Sequence, residues 1–370
     1  MKLPVVISRY FGQRFLAAVL IVSFGLTGLV ALFDFLELLR ESATAPHSTF
    51  LIVVEIELLR LPWSFMQIIP FAVLLGGIYA FWRLARSSEL VVTRAAGISA
   101  WQFLLVPVLI AGFLGAVCTT AISPLSAVMY GRAGQLYNSY LKPSGAPLSL
   151  NGGELWVRQT DTSSPSSSTA ILHARHVWLH GKFLEANNVS ILRLTSQNSL
   201  TQRIDAAHAT LSPGYWILSQ VVVLQPNLLP IHLPALNFPT DLTLTRVQES
   251  FASPNALSFW ALPGFIRLLK HSGFSTTQHA LVFQSLLALP LLCATMALVA
   301  AGFSMRSSRR GGVGVMLGSG VGFGFALFMV SEIANQFGTS GAIPVMLAAW
   351  APTFAGLFFA LALLLHLEDG

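Results

Sequence analysis

The sequence alternates between long runs without a charged residue and short clusters of charged and polar residues. Four of the uncharged runs contain at least 19 residues each: Phe15–Phe33, Leu61–Trp82, Ala280–Met305 and Gly311–Ser331. Two longer stretches are also uncharged, apart from His366 in the second: Ala95–Gly131 and Ile333–Leu367. A helix needs about 20 mostly apolar residues to cross the hydrocarbon core of a bilayer. The pattern therefore predicts six transmembrane helices, three on each side of a central segment.

The central segment has a different periodicity, in which polar and apolar residues alternate. Four stretches show the alternation: Glu154–Gln159, Ala170–Trp178, Phe183–Leu194 and Tyr215–Leu224. A period of two is typical of strands that bury one face. Breakers such as Asn151-Gly152-Gly153 and Ser212-Pro213-Gly214 separate the stretches. The central segment is therefore predicted to be an all-β domain of the sandwich or jelly-roll type.

Other parts of the central segment are predicted to lie outside the strands. Thr160–Thr169 is rich in Ser and is interpreted as a solvated hairpin loop. Pro226–Pro239 is rich in Pro and is interpreted as an extended return path. Phe265–Lys270 has the pattern of a short amphipathic helix that would suit a membrane surface.

The predicted fold class is a membrane α-helical protein with an inserted all-β, jelly-roll-like domain outside the membrane. Residues 1–123 contain the first three transmembrane helices, and residues 280–370 contain the last three. Residues 124–279 contain the β domain with its flanking connectors. A short cytoplasmic helix is expected within about 83–97.

The basic residues orient the predicted spans. If the N-terminus is cytoplasmic, nine of them lie in cytoplasmic segments: Lys2, Arg9, Arg14, Arg83, Arg86, Arg94, Arg306, Arg309 and Arg310. The two short outside loops contain only Arg40 and Arg60. This asymmetry follows the positive-inside rule. It predicts that both termini are cytoplasmic and that the large loop lies outside. The net charge of +6 therefore reflects topology and does not indicate a nucleic-acid partner.

Composition and motifs argue against chemistry on this chain. Only 10% of the residues are charged, against roughly 25% in soluble domains. The two cysteines, Cys118 and Cys293, lie inside predicted spans, so neither a disulfide nor a metal cluster is expected. The sequence contains no Walker A motif and no G-x-S-x-G elbow. No catalytic residue, no metal site and no cofactor on this chain are predicted.

Three histidines, His173, His176 and His180, lie close together in one predicted strand and the turn after it. His173 and His176 are three residues apart, so regular alternation would place them on opposite faces. They are interpreted as surface or turn histidines and not as metal ligands.

The turn after the second span contains the most informative short motif. Arg83–Ala96 has helical character, Gly97 suits a helix C-terminus, and Ser99 begins a capping box with Gln102. The pattern predicts a short cytoplasmic helix that exposes Glu89 and Arg94. Two interpretations are open. The helix either docks on a partner ATPase and couples its closure to the spans, or it is a polar connector.

Small and ionisable residues in the spans suggest further functional positions. Gly314, Gly318 and Gly322 are four residues apart, which lets another helix approach closely, either within this chain or in a partner subunit. Asp34, Glu37 and Glu332 lie at the outer ends of spans. Ionisable groups at membrane depth are candidates for contact with substrate, although headgroups and water make charge inexpensive near the interface.

The residues that carry a family resemblance are spread over nearly the whole chain: Leu32–Arg40, Glu89, Arg94, Gly97, Ser99, Leu155–Arg158, Ile204–Thr210 and Ala348–Pro352. On these residues the sequence resembles the LptF/LptG permease family, the membrane subunits of the lipopolysaccharide-export ABC transporter, and is more similar to its LptG members. Glu89 to Ser99 matches the family's E-x-x-x-x-R-x-x-G-x-S coupling helix, with Thr93 where leucine is frequent.

The resemblance implies a set of partners. A homologous LptF-type permease would pair with this chain above a dimer of an LptB-type ATPase, which would bind ATP and Mg. LptC and, through a bridge of periplasmic jelly rolls, LptA would complete the assembly. Lipopolysaccharide would be extracted from the bacterial inner membrane and passed to the bridge. The large loop would be periplasmic.

The resemblance also implies residue roles. Glu89 and Arg94 would dock on the ATPase, while Gly97 and Ser99 would shape the turn. Arg40, Arg132 and Lys142 would contact the phosphates of lipopolysaccharide, because guanidinium and ammonium groups bind phosphate; an anchoring role at the interface is the alternative. A lysine prominent before the first exit in some relatives is missing here, where Ala31-Leu32-Phe33 precedes Asp34.

Two rival functions differ in topology and partners. Lipoprotein-release and division-associated ABC permeases place their large outer domain after the first of four spans, which disfavours them here. The second rival is a membrane-anchored β domain that serves as a scaffold or receptor, which would need neither an ATPase nor a coupling helix.

Overall fold

The computed structural model describes most of the chain, and it divides the chain into two compact units. The described residues are 5–43, 49–87, 89, 100–141, 148–151, 154–161, 168–180, 183–195, 199–226, 228–240, 242–243, 253–271, 274–304 and 313–368. The helical unit comprises Met1–Leu141, Pro254–Pro263 and Thr277–Gly370, and the β unit comprises Lys142–Ser253 and Gly264–Thr276. Residues 124–140, which the sequence placed in the flank of the outer domain, continue a helix of the helical unit.

The helices whose bounds lie in the described part of the chain are, in order, α1 (Val5–Ser42), α2 (Phe50–Arg86), α3 (Ala100–Val117), α4 (Ser123–Tyr140), α5 (Leu262–His271), α6 (Thr277–Ser304), α7 (Val313–Thr339) and α8 (Val345–Glu368). A π-helical turn, Cys118–Ile122, joins α3 to α4, and a 3-10 turn covers Pro254–Ala256. The strands are β1 (Leu148–Asn151), β2 (Glu154–Asp161), β3 (Ser168–His180), β4 (Phe183–Leu194), β5 (Leu200–Ser212), β6 (Tyr215–Leu224) and β7 (Ile231–Pro239).

Among the described residues, five helical segments are long and apolar enough to cross a membrane: Arg9–Ser42, Phe50–Arg86, Trp101–Tyr140, Thr277–Ser304 and Val345–His366. The protein is therefore mostly helical with several spans, as the uncharged runs predicted. The remaining predicted run, Gly311–Ser331, corresponds to α7, which has 27 residues. Its assignment as a span is part of the proposal made below.

Close helix contacts in the helical unit occur where glycine replaces a side chain. A Cβ atom added at Gly76 of α2 would lie 2.6 Å from Val19 Cα of α1. One added at Gly77 would lie 2.8 Å from Ala300 Cβ of α6. Phe15 and Phe81 fill the space beside these contacts and are completely buried, with their ring centroids 5.7 Å apart. The core of this unit therefore depends on glycines that let backbones meet and on aromatic rings beside them.

The π-helical turn lies where α3 crosses α6. Pro290 lacks a backbone N–H, so the carbonyl of Leu286, four residues earlier, loses its helical donor. Thr119 Oγ1 in the π-helical turn donates a hydrogen bond of 2.8 Å to that carbonyl oxygen. A Cβ added at Gly115 would lie 2.7 Å from Pro290 Cα, so the backbones also touch here. The π-helical turn thus places a hydroxyl where the proline leaves an acceptor unsatisfied.

We expect Thr119→Val to destabilise the helical unit by about 1–2 kcal/mol, because it leaves the Leu286 carbonyl without a donor in an apolar environment. The measurement is the thermal unfolding temperature of the purified protein in detergent. Thr120→Val is the matched control, since among the described residues Thr120 Oγ1 donates to the carbonyl of Ala116, one turn earlier, and not to another helix. Equal losses in the two variants would contradict the role given to Thr119.

The β unit contains a seven-stranded antiparallel sheet whose strands are ordered β1-β2-β3-β4-β5-β6-β7. Each strand pairs with its neighbour in the sequence, so the described sheet is a meander. A jelly roll exchanges strands between two sheets through Greek-key connections, so the jelly-roll topology is not confirmed. The predicted alternation in β2, β3, β4 and β6 is confirmed as strands. Pro226–Pro239 was predicted as a return path, but Ile231–Pro239 pairs with β6 as the strand β7.

A line of extra residues crosses five strands of this sheet. Buried positions follow period two and then jump three residues: Ala174 to Val177, Ala186 to Val189, Ala206 to Ala209, Leu218 to Val221 and the packed pair Leu233 to Leu236. At the jump, the pairing between neighbouring strands passes over one residue in each strand: Arg175, Asn188, Ala207, Gln220 and Pro234. We call this row of skipped residues the fold line. The jump keeps one face buried on both sides of the line.

Helix α5 packs against the buried face of the sheet. Leu269 and Phe274 are buried in the same cluster as Trp216, and Phe265 packs against that cluster. The interpretation of Phe265–Lys270 as a helix for the membrane surface is therefore wrong. Its apolar side covers the core of the β unit, which a local hydrophobic pattern cannot distinguish from a membrane-facing side.

Candidate functional site

One end of the helical unit gathers charged residues from three helices. We define the charged end as residues 34–41 of α1, 55–60 of α2 and 132–137 of α4. The 38 residues of α1 extend about 57 Å, well beyond the roughly 30 Å of a bilayer core. The uncharged run of α1 ends at Phe33. The charged end therefore begins where the apolar length of α1 is complete, which corresponds to headgroup depth in a bilayer.

Hydrogen bonds and an ion pair join the three helices at the charged end. Arg132 Nη2 of α4 lies 3.2 Å from Glu55 Oε1 of α2. Tyr137 Oη of α4 donates a 2.8 Å hydrogen bond to Glu41 Oε2 of α1. The guanidinium of Arg60 lies 5.3 Å from the centre of the Tyr137 ring. These contacts span helices far apart in the sequence and hold polar groups in fixed positions.

The structure brings several of the residues predicted from the sequence together here. Asp34, Glu37 and Arg40 lie on consecutive turns of α1, and Arg40 Nη1 lies 4.0 Å from Glu37 Oε2. The side chain of Arg40 is 84% exposed, so it is accessible to a ligand. Arg132 is held by Glu55. Glu332 is exposed on α7 and forms no hydrogen bond or ion pair with these described residues, while Lys142 lies outside the described part of the chain.

Four residues of the charged end were not among the site residues predicted from the sequence: Glu55, Glu57, Arg60 and Tyr137. Glu57 is the most notable, because it is only 6% exposed and neither of its carboxylate oxygens has a hydrogen-bond partner among the described residues. The signal that could have identified these residues was their position next to an uncharged run. Glu55, Glu57 and Arg60 directly precede the uncharged run of α2, just as Asp34 to Arg40 follow that of α1.

The opposite end of α2 leads to Glu89, which is helical and half-buried. Ser87 Oγ donates a 3.0 Å hydrogen bond to Glu89 Oε1, and Tyr10 Oη of α1 lies 3.5 Å from the same oxygen. Arg14 stacks over Tyr10 and Arg86 over Trp82, with distances of 5.2 and 5.5 Å to the ring centres. The predicted partners of Glu89 in the coupling motif, Arg94, Gly97 and Ser99, lie outside the described residues.

The glycines of α7 divide into two faces. Cβ atoms added at Gly314, Gly318 or Gly322 would meet nothing within 4 Å among the described residues. Those added at Gly320 and Gly324 would lie against Phe303 and Leu74. Packing within the described chain therefore uses the second face. Contact of the first face with a partner subunit stays a prediction.

Regarding metal sites, no group of three His, Cys, Asp or Glu able to hold an ion occurs among the described residues.

The expectation that His173 and His176 face opposite sides of β3 is wrong. Buried positions jump from Ala174 to Val177 at the fold line, so both histidines lie on the face opposite the core. The extra residue at Arg175 inverts the alternation that the sequence predicted.

Comparison with known proteins identifies relatives over the full length. Residues 9–366 match the family model described as lipopolysaccharide export system permease LptF/LptG. The lipopolysaccharide export system permease protein LptG of Escherichia coli K12 is 25% identical over 374 aligned residues, covering 98% of each chain. The protein of the same name from Haemophilus influenzae is 24% identical and covers 94% of each chain.

Proposed function

Because the chain belongs to the LptF/LptG family of lipopolysaccharide export system permeases, we propose that it is the permease subunit of an ABC transporter that extracts lipopolysaccharide from the bacterial inner membrane. ATP and Mg bind a separate LptB-type ATPase, and this chain has no catalytic role of its own. The lipid passes from the membrane cavity to a periplasmic bridge of β domains.

The match over residues 9–366 is the observation that carries this proposal. It includes the helices before the β unit, the β unit and the helices after it, so the match covers both units of the chain. A family member with several apolar spans is a multi-pass membrane protein and a transporter component, not a classical enzyme.

The proposed topology has six spans, with α7 as the fifth. Both termini and the turn after α2 face the cytoplasm, and the β unit is periplasmic. The distribution of basic residues supports this orientation, because Arg9, Arg14, Arg83 and Arg86 lie at the end that would face the cytoplasm. The charged end then faces the periplasm.

Energy from the ATPase enters the permease at the helix that contains Glu89. Glu89 and Arg94 dock in the ATPase dimer, and Gly97 and Ser99 shape the return into α3. A carboxylate suits this role because a charge-assisted hydrogen bond to a basic group is strong and directional.

The charged end is the proposed region where the phosphates of lipopolysaccharide pass. Arg40 is exposed and lies at headgroup depth, so its guanidinium can bind a phosphate with two parallel hydrogen bonds. Arg132 is held in place by Glu55 and offers its remaining donors. Asp34, Glu37, Glu332 and Lys142 complete the candidates for headgroup contact. An LptF-type permease, LptC and LptA are the proposed partners in the assembly.

The assembly is tested by co-purification. We expect the chain, tagged at its C-terminus and extracted in mild detergent, to retain a soluble ABC ATPase and a second permease, identified by mass spectrometry. The untagged strain controls for proteins that bind the resin. Recovery of the chain without any ATPase in several detergents would contradict the transporter proposal and favour a membrane-anchored scaffold.

A further inference from the structure

The face of the β unit opposite its core carries a cleft of about 600 Å³. Its floor is a row of directly paired residues on four neighbouring strands: Trp156, His173, Ser190 and Asp205. The skipped residues Arg175, Asn188, Ala207 and Gln220 of the fold line form the adjoining wall. Clefts of 300–1,000 Å³ are typical of small-molecule sites.

An aromatic platform lies at one end of the cleft. The rings of Trp156 and His173 are stacked, with centroids 4.0 Å apart and an angle of 25° between the ring planes. Trp156 is nevertheless 42% exposed. His173 covers one face of the indole, so the exposed area belongs to its other face and edges. A flat aromatic surface next to polar groups suits a ligand with apolar and polar sides, such as a sugar ring.

Charged residues of the cleft come from β5, two strands from the platform, and from β3 beside it. Asp205 accepts hydrogen bonds from Ser190 Oγ at 2.6 Å and from Arg203 Nε at 3.0 Å, and Arg203 neutralises its charge. Arg175 is exposed, lines the same cleft and has no hydrogen bond or ion pair with the described part of the chain. The cleft therefore has an excess positive charge at Arg175, which favours an anionic ligand.

The two amides of the fold line have an unusual backbone conformation. Asn188 has φ 52° and Gln220 has φ 54°, both in the left-handed region. Glutamine adopts this conformation at a cost, and such residues occur often at functional sites. Both side chains line the cleft. An amide offers donors and an acceptor, which matches the hydroxyl groups of a saccharide.

From these four features we propose that the cleft binds a phosphorylated saccharide. The sugar ring stacks on Trp156, its hydroxyl groups bond the amides of Asn188 and Gln220, and its phosphate pairs with Arg175. The sugar-phosphate part of lipopolysaccharide is the source that the proposed function supplies, and to that extent the inference rests on the proposed function. A free phosphorylated sugar has the same chemistry.

The test measures binding to the full chain in nanodiscs. The probes are a deacylated lipopolysaccharide oligosaccharide with its phosphates, the same oligosaccharide after dephosphorylation, glucose 6-phosphate and inorganic phosphate. We expect the phosphorylated oligosaccharide to bind, and its dissociation constant to rise about tenfold in Arg175→Gln, since a charge-assisted hydrogen bond is lost. Trp156→Leu should weaken the binding of both the phosphorylated and the dephosphorylated oligosaccharide. Tighter binding of glucose 6-phosphate than of the oligosaccharide would identify a free sugar as the source.

Arg158→Gln is the matched control. Arg158 is exposed on the same face of β2, two residues from Trp156, and does not line the cleft. The Arg158→Gln substitution removes the same charge as Arg175→Gln, but outside the cleft. The affinity of this variant for the phosphorylated oligosaccharide should therefore equal that of the unmodified protein. Equal weakening in Arg158→Gln and Arg175→Gln would overturn the proposal, because it would indicate general attraction to a basic surface. Binding of inorganic phosphate as tightly as the oligosaccharide would also overturn it.

A crosslinking experiment separates a saccharide from a protein ligand. A photo-reactive amino acid in place of Ala207, which lines the cleft and has no proposed binding role, should yield a glycolipid or sugar adduct in the intact cell. An adduct with a protein alone would overturn the proposal and identify this face as a protein interface. Co-purification of the ATPase is independent of the cleft, so a complex that assembles but fails to bind the probes contradicts only this inference.

Discussion

Glu89→Gln is expected to abolish coupling between the ATPase and export. The variant keeps the size of the side chain but removes the charge that would pair with a basic group on the ATPase. A charge-assisted hydrogen bond contributes about 1.5–3 kcal/mol, so affinity for the ATPase should fall about tenfold or more. The measurement is the stimulation of ATP hydrolysis by lipopolysaccharide in the reconstituted complex, together with lipopolysaccharide at the cell surface.

Two variants distinguish docking from a role within the chain. Tyr10→Phe and Ser87→Ala each remove a donor that reaches Glu89 Oε1 but leave its charge. If Glu89 acts on the ATPase, both variants should retain most of the stimulation. If they lose it as completely as Glu89→Gln does, the carboxylate is needed to position the end of α2, and the docking role is wrong.

Gly76→Val is expected to prevent the helical unit from packing. An added Cβ would lie 2.6 Å from Val19 Cα and 2.9 Å from Val19 N, which are backbone atoms that cannot rotate away. Helices α1 and α2 would have to separate, and the buried rings of Phe15 and Phe81 would lose their contact. Overpacking of this kind costs about 1–3 kcal/mol, and a valine adds two further methyl groups. We expect little monodisperse protein after extraction and a markedly lower unfolding temperature.

Gly28→Val is the control for Gly76→Val. Gly28 is an exposed glycine of α1, and a Cβ there would meet nothing within 4 Å among the described residues. The substitution changes the helix propensity in the same direction without a steric clash. Similar yields and unfolding temperatures for the two variants would show that the α1–α2 contact is not tight.

The charged end of the helical unit was predicted from the sequence only in part. At the charged end, Asp34, Glu37, Arg40 and Arg132 were identified as single residues, but their meeting with α2 was not. The ion pair from Arg132 to Glu55 joins residues 77 positions apart. Charge next to an uncharged run identifies the depth of a residue in the membrane. It does not identify which helices are neighbours, so Glu57 and Tyr137 were missed.

In the β unit the alternation predicted four strands correctly but not how their faces continue. A residue skipped in each of five strands moves His173 and His176 to one face and places Asn188 and Gln220 in one row. Each skip depends on the skip in the next strand, since only matched jumps keep the hydrogen-bonded register. This is a property of the sheet, and no single strand's pattern contains it.

The sequence by itself determined the membrane class, the division into spans and a β insert, the strands with regular alternation, and the family resemblance. These follow from periodicity and from the cost of burying charge, which act along the chain. The tertiary structure decided which glycine face of α7 packs within the chain, that α5 covers the sheet, and that an aromatic pair and an arginine share one cleft. These depend on which elements become neighbours, and contacts between distant segments are a property of packing that local patterns do not specify.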